Sequence, residues 1–106
     1  MDDEQKELIV SPEDMLDELN IDTTATSKKL MAGLIQSAQE LITDAVNTTL
    51  NASTLAQDPI YIQAVKALST ALYYDRTLSG GFPLGVQMMI THLQGRYDKW
   101  PDKQEN

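Results

Sequence analysis

Three of the four prolines in this sequence open apolar stripes, and that arrangement constrains the fold more than any other feature. Proline fixes φ and lacks an amide hydrogen, so it fits the first turn of a helix and disrupts the interior. Pro12 follows Ser11, a residue suited to capping, and Glu13 and Asp14 then meet the positive end of the helix dipole. Val10 and Met15 have the spacing of a hydrophobic staple around that start. Pro59 follows Asp58, a second capping residue, and Pro83 follows the Gly80-Gly81-Phe82 break. After each of these prolines, apolar residues recur at helical spacing.

Four helices are therefore expected. A short one spans about Pro12–Asn20, with Met15, Leu16 and Leu19 facing inward. A second runs over Ser27–Val46 after the polar linker Thr23–Ser27. Its stripe is Leu30, Leu34, Ala38, Leu41 and Ala45, widened by Met31, Ile35 and Ile42, while Lys29, Gln36, Gln39, Glu40 and Thr43 cover the outside. Residues 47–57 are expected to be an irregular loop of the length that often makes subunit or partner contact. The third and central helix is expected from Pro59 to about Leu78. Its band is Ile60, Ala64, Ala67, Leu68, Ala71 and Leu72, with Tyr61, Val65 and Tyr74 beside it. The last helix runs from Pro83 to Tyr97 and buries Val86, Met89, Ile90, Leu93 and Tyr97. The expected fold is all-α, a single-domain bundle of one short and three longer helices. Residues 1–10 form an acidic arm, 11–97 the helical domain and 98–106 a polar tail.

Charge is concentrated at one end. The net charge is −8, and residues 1–22 hold nine acids against Lys6 alone, whereas the remainder balances seven acids with seven bases. Such a field disfavours direct binding to phosphates, which requires lysine and arginine to displace counterions. The arm reads either as a solvated acidic segment or as a surface for a basic partner. With no cysteine and one histidine, His92, the chain offers neither thiolate metal sites nor a nucleophile–base pair. His92 reads as a partly exposed packing residue. No catalytic, cofactor or metal site is expected, the chain is read as a non-enzymatic protein, and no apolar run approaches a membrane span.

Several stretches resemble the small head–tail connector (adaptor) proteins of long-tailed phages. Phe82-Pro83-Leu84-Gly85-Val86 resembles the extended entry to that family's last helix, and His92-Leu93-Gln94-Gly95 its closing Gln-Leu-Arg-Gly pattern. Leu19-Asn20-Ile21-Asp22 resembles the Leu-x-Ile-Asp after the family's first helix. Leu34 to Ile42 resembles its second helix, and Tyr73-Tyr74-Asp75-Arg76 the aromatic end of its third. The resemblance covers roughly residues 11–97. It implies a structural virion protein, made in the host bacterial cytoplasm and located at the head–tail junction. Subunits would form a ring on the portal protein and extend the DNA channel, with DNA passing through without specific binding. The ring would also present a surface to the next head-completion or tail protein.

Within that reading, the candidate contacts to portal or neighbouring copies are Trp100, Lys99, Lys103, Arg76 and Arg96. Asp14, Asp17 and Glu18 are candidates for facing the channel, where acids would repel the phosphate backbone. Arg76 serves equally as a cap on its own helix. Trp100, held extended by Pro101, reads either as an interface anchor or as an aromatic folded back onto its own domain. The alternative class is a small acidic helical regulatory protein, or nucleic-acid mimic, that binds a basic partner through the arm.

Overall fold

The computed structural model describes residues 8–46 and 52–97, and the fold is all-α. The elements are α1 (Pro12–Glu18), α2 (Ala25–Val46), the single turn α3 (Ala52–Leu55), α4 (Pro59–Tyr74) and α5 (Leu84–Tyr97). The four helices longer than one turn are the short and three longer ones expected. α2 is the hub, packing against α1, α3, α4 and α5, while α4 and α5 pack on each other. Val10, Met15, Leu16, Met31, Ile35, Ile42, Leu55, Tyr61, Leu68, Val86 and Leu93 are among the buried residues that join them in one core.

The local start signals act as their chemistry requires. The Ser11 hydroxyl accepts from the Asp14 amide, and the Asp58 carboxylate accepts from the Ile60 amide at 2.9 Å, each just before a proline-led first turn. Val10 and Met15 are both buried, so the staple at the start of α1 closes. α2 begins two residues earlier than Ser27. Thr24 and Ser27 cap it reciprocally, the Ser27 amide donating to Thr24 Oγ1 at 3.0 Å and the Thr24 amide to Ser27 Oγ at 2.8 Å.

α1 stops at Glu18 rather than Asn20 because Asn20 takes a left-handed conformation, φ 60°. The Ile21 amide reaches back to the Leu16 carbonyl and the Asn20 amide to that of Asp17, a Schellman closure in which asparagine replaces glycine. α4 ends at Tyr74, four residues before the expected Leu78. Asp75 captures the chain there, accepting from the amides and hydroxyls of both Thr77 and Ser79. The hydroxyls of Thr77 and Ser79, with the Ser79 amide, hold the Asp75 carboxyl below its ordinary value.

Four residues face otherwise than expected. Gln39 and Thr43, expected on the surface of α2, are buried, while Leu41, expected in its stripe, is 41% exposed. The inward face is rotated toward Gln39 and Thr43 because both are satisfied there. Thr43 Oγ1 lies 3.0 Å from the Tyr61 hydroxyl and donates to the Gln39 carbonyl at 2.6 Å, and Gln39 Oε1 accepts from the Ile9 amide at 2.6 Å. On α4 the centre of the face passes through Tyr61, Val65 and Leu68, and Tyr74 points outward at 67% exposure. Part of the expected loop 47–57 is ordered as α3, and Leu55 is fully buried.

Candidate functional site

α5 carries an apolar stripe on one face and two exposed apolar residues, Leu84 and Met88, on the opposite one. Val86, Ile90, Leu93 and Tyr97 follow one another at i, i+4, i+7 and i+11, and the first three are buried against the core. Leu84, Met88, Thr91 and Gly95 repeat the same spacing two residues earlier. A two-residue step is a rotation of about 200° on an α-helix, so these positions lie opposite the stripe. Leu84 is 70% and Met88 63% exposed. A helix on the outside of a single domain normally has one apolar stripe, because one face meets the core and the other meets water.

Leu84, Gln87, Met88 and Thr91 line a shallow depression of about 260 Å³ on this outer face. From residue 84 to residue 95 the helix carries no acid, lysine or arginine. One edge of the face lies along α2, where Gln94 Nε2 donates to the Ala45 carbonyl at 2.8 Å. Leu41 sits one turn before Ala45 on α2 and is also partly open to solvent.

The other edge is tied to the start of α4. The Asp58 side chain is only 3% exposed, yet its Oδ2 accepts from Arg96 Nη1 at 2.6 Å and from the Tyr97 hydroxyl at 3.0 Å. Burial pushes the Asp58 carboxyl up, but the Ile60 amide, the Tyr97 hydroxyl and the Arg96 guanidinium outweigh it and hold it below its ordinary value. Burial and the Asp58 carboxylate both push the Tyr97 phenol up. Arg96 Nη2 also lies 2.9 Å from His92 Nε2, so exposed His92 leans on Arg96.

The candidates named from sequence are scattered rather than gathered. Asp14 and Asp17 are exposed on α1, while Glu18 pairs with Lys66 at 2.9 Å and Glu13 approaches Lys28 at 3.6 Å. Arg76 is exposed, and Arg96 is engaged by Asp58 within its own chain. Trp100, Lys99 and Lys103 lie outside the described residues. The sequence reading did not single out Leu84 and Met88, whose only sign in the sequence is an i, i+4 pair of large apolar residues off the buried stripe.

Among the described residues, no group of three or more His, Asp or Glu side chains is placed to hold a metal ion, and no helix is long and apolar enough to cross a membrane. No protein-family model, curated protein or solved structure matches the chain.

Proposed function

We propose that this protein is a head–tail connector whose copies assemble in a ring on a phage portal and extend the channel through which DNA passes. The observation that supports an assembly role is the outer face of α5, where Leu84 and Met88 stand in solvent without charged side chains beside them. Large apolar side chains on an uncharged helical face are the composition of the buried centre of an interface. This helix is also the one whose entry and close resemble the connector family. In a closed ring each subunit uses one such face against a different face of its neighbour. Exposed Tyr74 and Leu41 are further apolar residues available to such contacts.

The acidic-mimic alternative rests on the arm, residues 1–10, of which 1–7 lie outside the described residues. Beyond the arm, on α1, Glu13 and Glu18 are approached by Lys28 and Lys66. Asp14 and Asp17 remain open and, in the connector reading, face the channel or its mouth.

The test is to mix the purified protein with its cognate portal and image the mixture by negative-stain microscopy. Rings seated on the portal are expected, and they should be lost with Met88→Lys or Leu84→Lys. A stable twofold dimer that ignores the portal would overturn the reading.

A further inference from the structure

We propose that Met88 is a peroxide-sensitive modification site, whose oxidation to the sulfoxide makes the outer face of α5 polar and weakens the contact made there. The proposal rests on the connector reading for what that contact is, and it names what switches the contact off.

Exposure singles out this methionine. Met15 is 1% and Met31 0% exposed, and Met89 is partly buried against the core, whereas Met88 is 63% exposed. Met88 and Met89 are neighbours in sequence, but one residue turns an α-helix by about 100°, which carries Met88 away from the core. A thioether reacts only where an oxidant can touch it, so Met88 is the accessible target among the described methionines. The reaction needs no further residue. A lone pair of the Met88 sulfur attacks one oxygen of hydrogen peroxide, the O–O bond breaks as the S–O bond forms, and a proton shift releases water. Sulfur gives up two electrons and the peroxide takes them.

The surroundings decide what the modification does. Met88 lines the shallow depression of the outer face together with Leu84, Gln87 and Thr91. Both polar members turn a donor onto nearby backbone: Gln87 Nε2 donates to the Phe82 carbonyl at 2.7 Å, and Thr91 Oγ1 to the Gln87 carbonyl at 3.0 Å. The thioether and Leu84 therefore set the apolar character of the face. Oxidation converts a flexible apolar side chain into a polar one with a strong acceptor oxygen. In the free chain water solvates that oxygen, but an apolar contact strips the water away and offers no donor in return. The core is untouched, because Val86, Ile90 and Leu93 hold the other side of the helix. Sulfoxide reductases reverse the change, so the state of the face follows the supply of peroxide.

The experiment treats the purified full chain with hydrogen peroxide, quenches samples with excess free methionine, and follows each methionine by peptide mass spectrometry. Fragment ions separate Met88 from Met89. Met1, which lies outside the described residues, is read on its own peptide and kept out of the ranking. Met88 is expected to oxidise about tenfold or more faster than Met15 and Met31, and severalfold faster than Met89, with far-UV circular dichroism unchanged. Retention on a hydrophobic-interaction column should fall as Met88 is oxidised and recover after treatment with methionine sulfoxide reductases. Most of that fall should be absent from Met88→Leu. Oxidation of Met88 no faster than that of Met15 and Met31 would overturn the proposal, as would an equal loss of retention in Met88→Leu. On the cognate portal, the oxidised protein should form rings about tenfold less readily, while peroxide-treated Met88→Leu assembles normally. Rings undiminished by the sulfoxide would also overturn it. If the unoxidised chain forms no rings, the connector reading fails, and the oxidation ranking and column retention still decide whether Met88 is the site.

Discussion

The carboxylate of Asp58 and the guanidinium of Arg96 meet at 2.6 Å across 38 positions of sequence, joining the first turn of α4 to the last turn of α5. Asp58 thus does two jobs with one carboxylate: Oδ1 caps α4 through the Ile60 amide, and Oδ2 holds Arg96 and Tyr97. The clasp ties the end of α5 to the start of α4.

Asp58→Ala removes both functions and should cost about 2–3 kcal/mol, combining a lost N-cap with lost charge-assisted hydrogen bonds. Asp58→Asn keeps a capping oxygen and should cost less. Arg96→Ala strands a buried carboxylate and should cost about 2 kcal/mol, whereas Lys28→Ala, at an exposed pair, should change stability by less than about 0.5 kcal/mol. Urea unfolding of the four variants checks the order.

Acid should loosen the same clasp. The folded-state pKa of Asp58 lies below its unfolded value, so its stabilising contribution is complete above the unfolded value of 3.8 and is lost as pH falls through the lower, folded one. Melting temperature should therefore fall as pH drops from about 5 toward 2. Asp58→Asn should show a shallower fall over that window. Equal slopes in the two proteins would remove Asp58 as a source of the acid sensitivity.

The hydroxyls of Thr43 and Tyr61 form the polar link between α2 and α4. Tyr61→Phe and Thr43→Val should each cost about 1 kcal/mol, because each leaves a buried polar partner less well satisfied. The double variant should cost less than the sum, since both partners then become apolar together. A double-mutant cycle by chemical denaturation measures the coupling, and strict additivity would show that the two hydroxyls act independently.

The two faces of α5 should separate cleanly on truncation. Leu93 is fully buried, so Leu93→Ala should cost about 3 kcal/mol through lost burial and the cavity left behind. Met88→Ala should leave the stability of the helical core within about 0.5 kcal/mol of wild type. Thermal unfolding followed by far-UV circular dichroism gives both values.

What the sequence determined by itself was mostly local. Ser11-Pro12, Asp58-Pro59 and the Phe82-Pro83 entry announce three helices, because capping oxygens and a fixed φ act within one turn and need no distant partner. The inward stripe of α5 was legible for the same reason, as spacing alone places Val86, Ile90 and Leu93 on one face. The end of α1 was less legible, since asparagine at a left-handed position is a weaker sign than glycine. Tertiary structure decided the rest. Gln39 and Thr43 read as surface residues until Ile9 and Tyr61 satisfy them, and Leu41 then turns toward solvent. Spacing marks the Val86, Ile90 and Leu93 face of α5 for burial, and α2 and α4 are the elements that cover it. Leu84 and Met88 are left outside because a helix against a two-helix surface has only one side to give it.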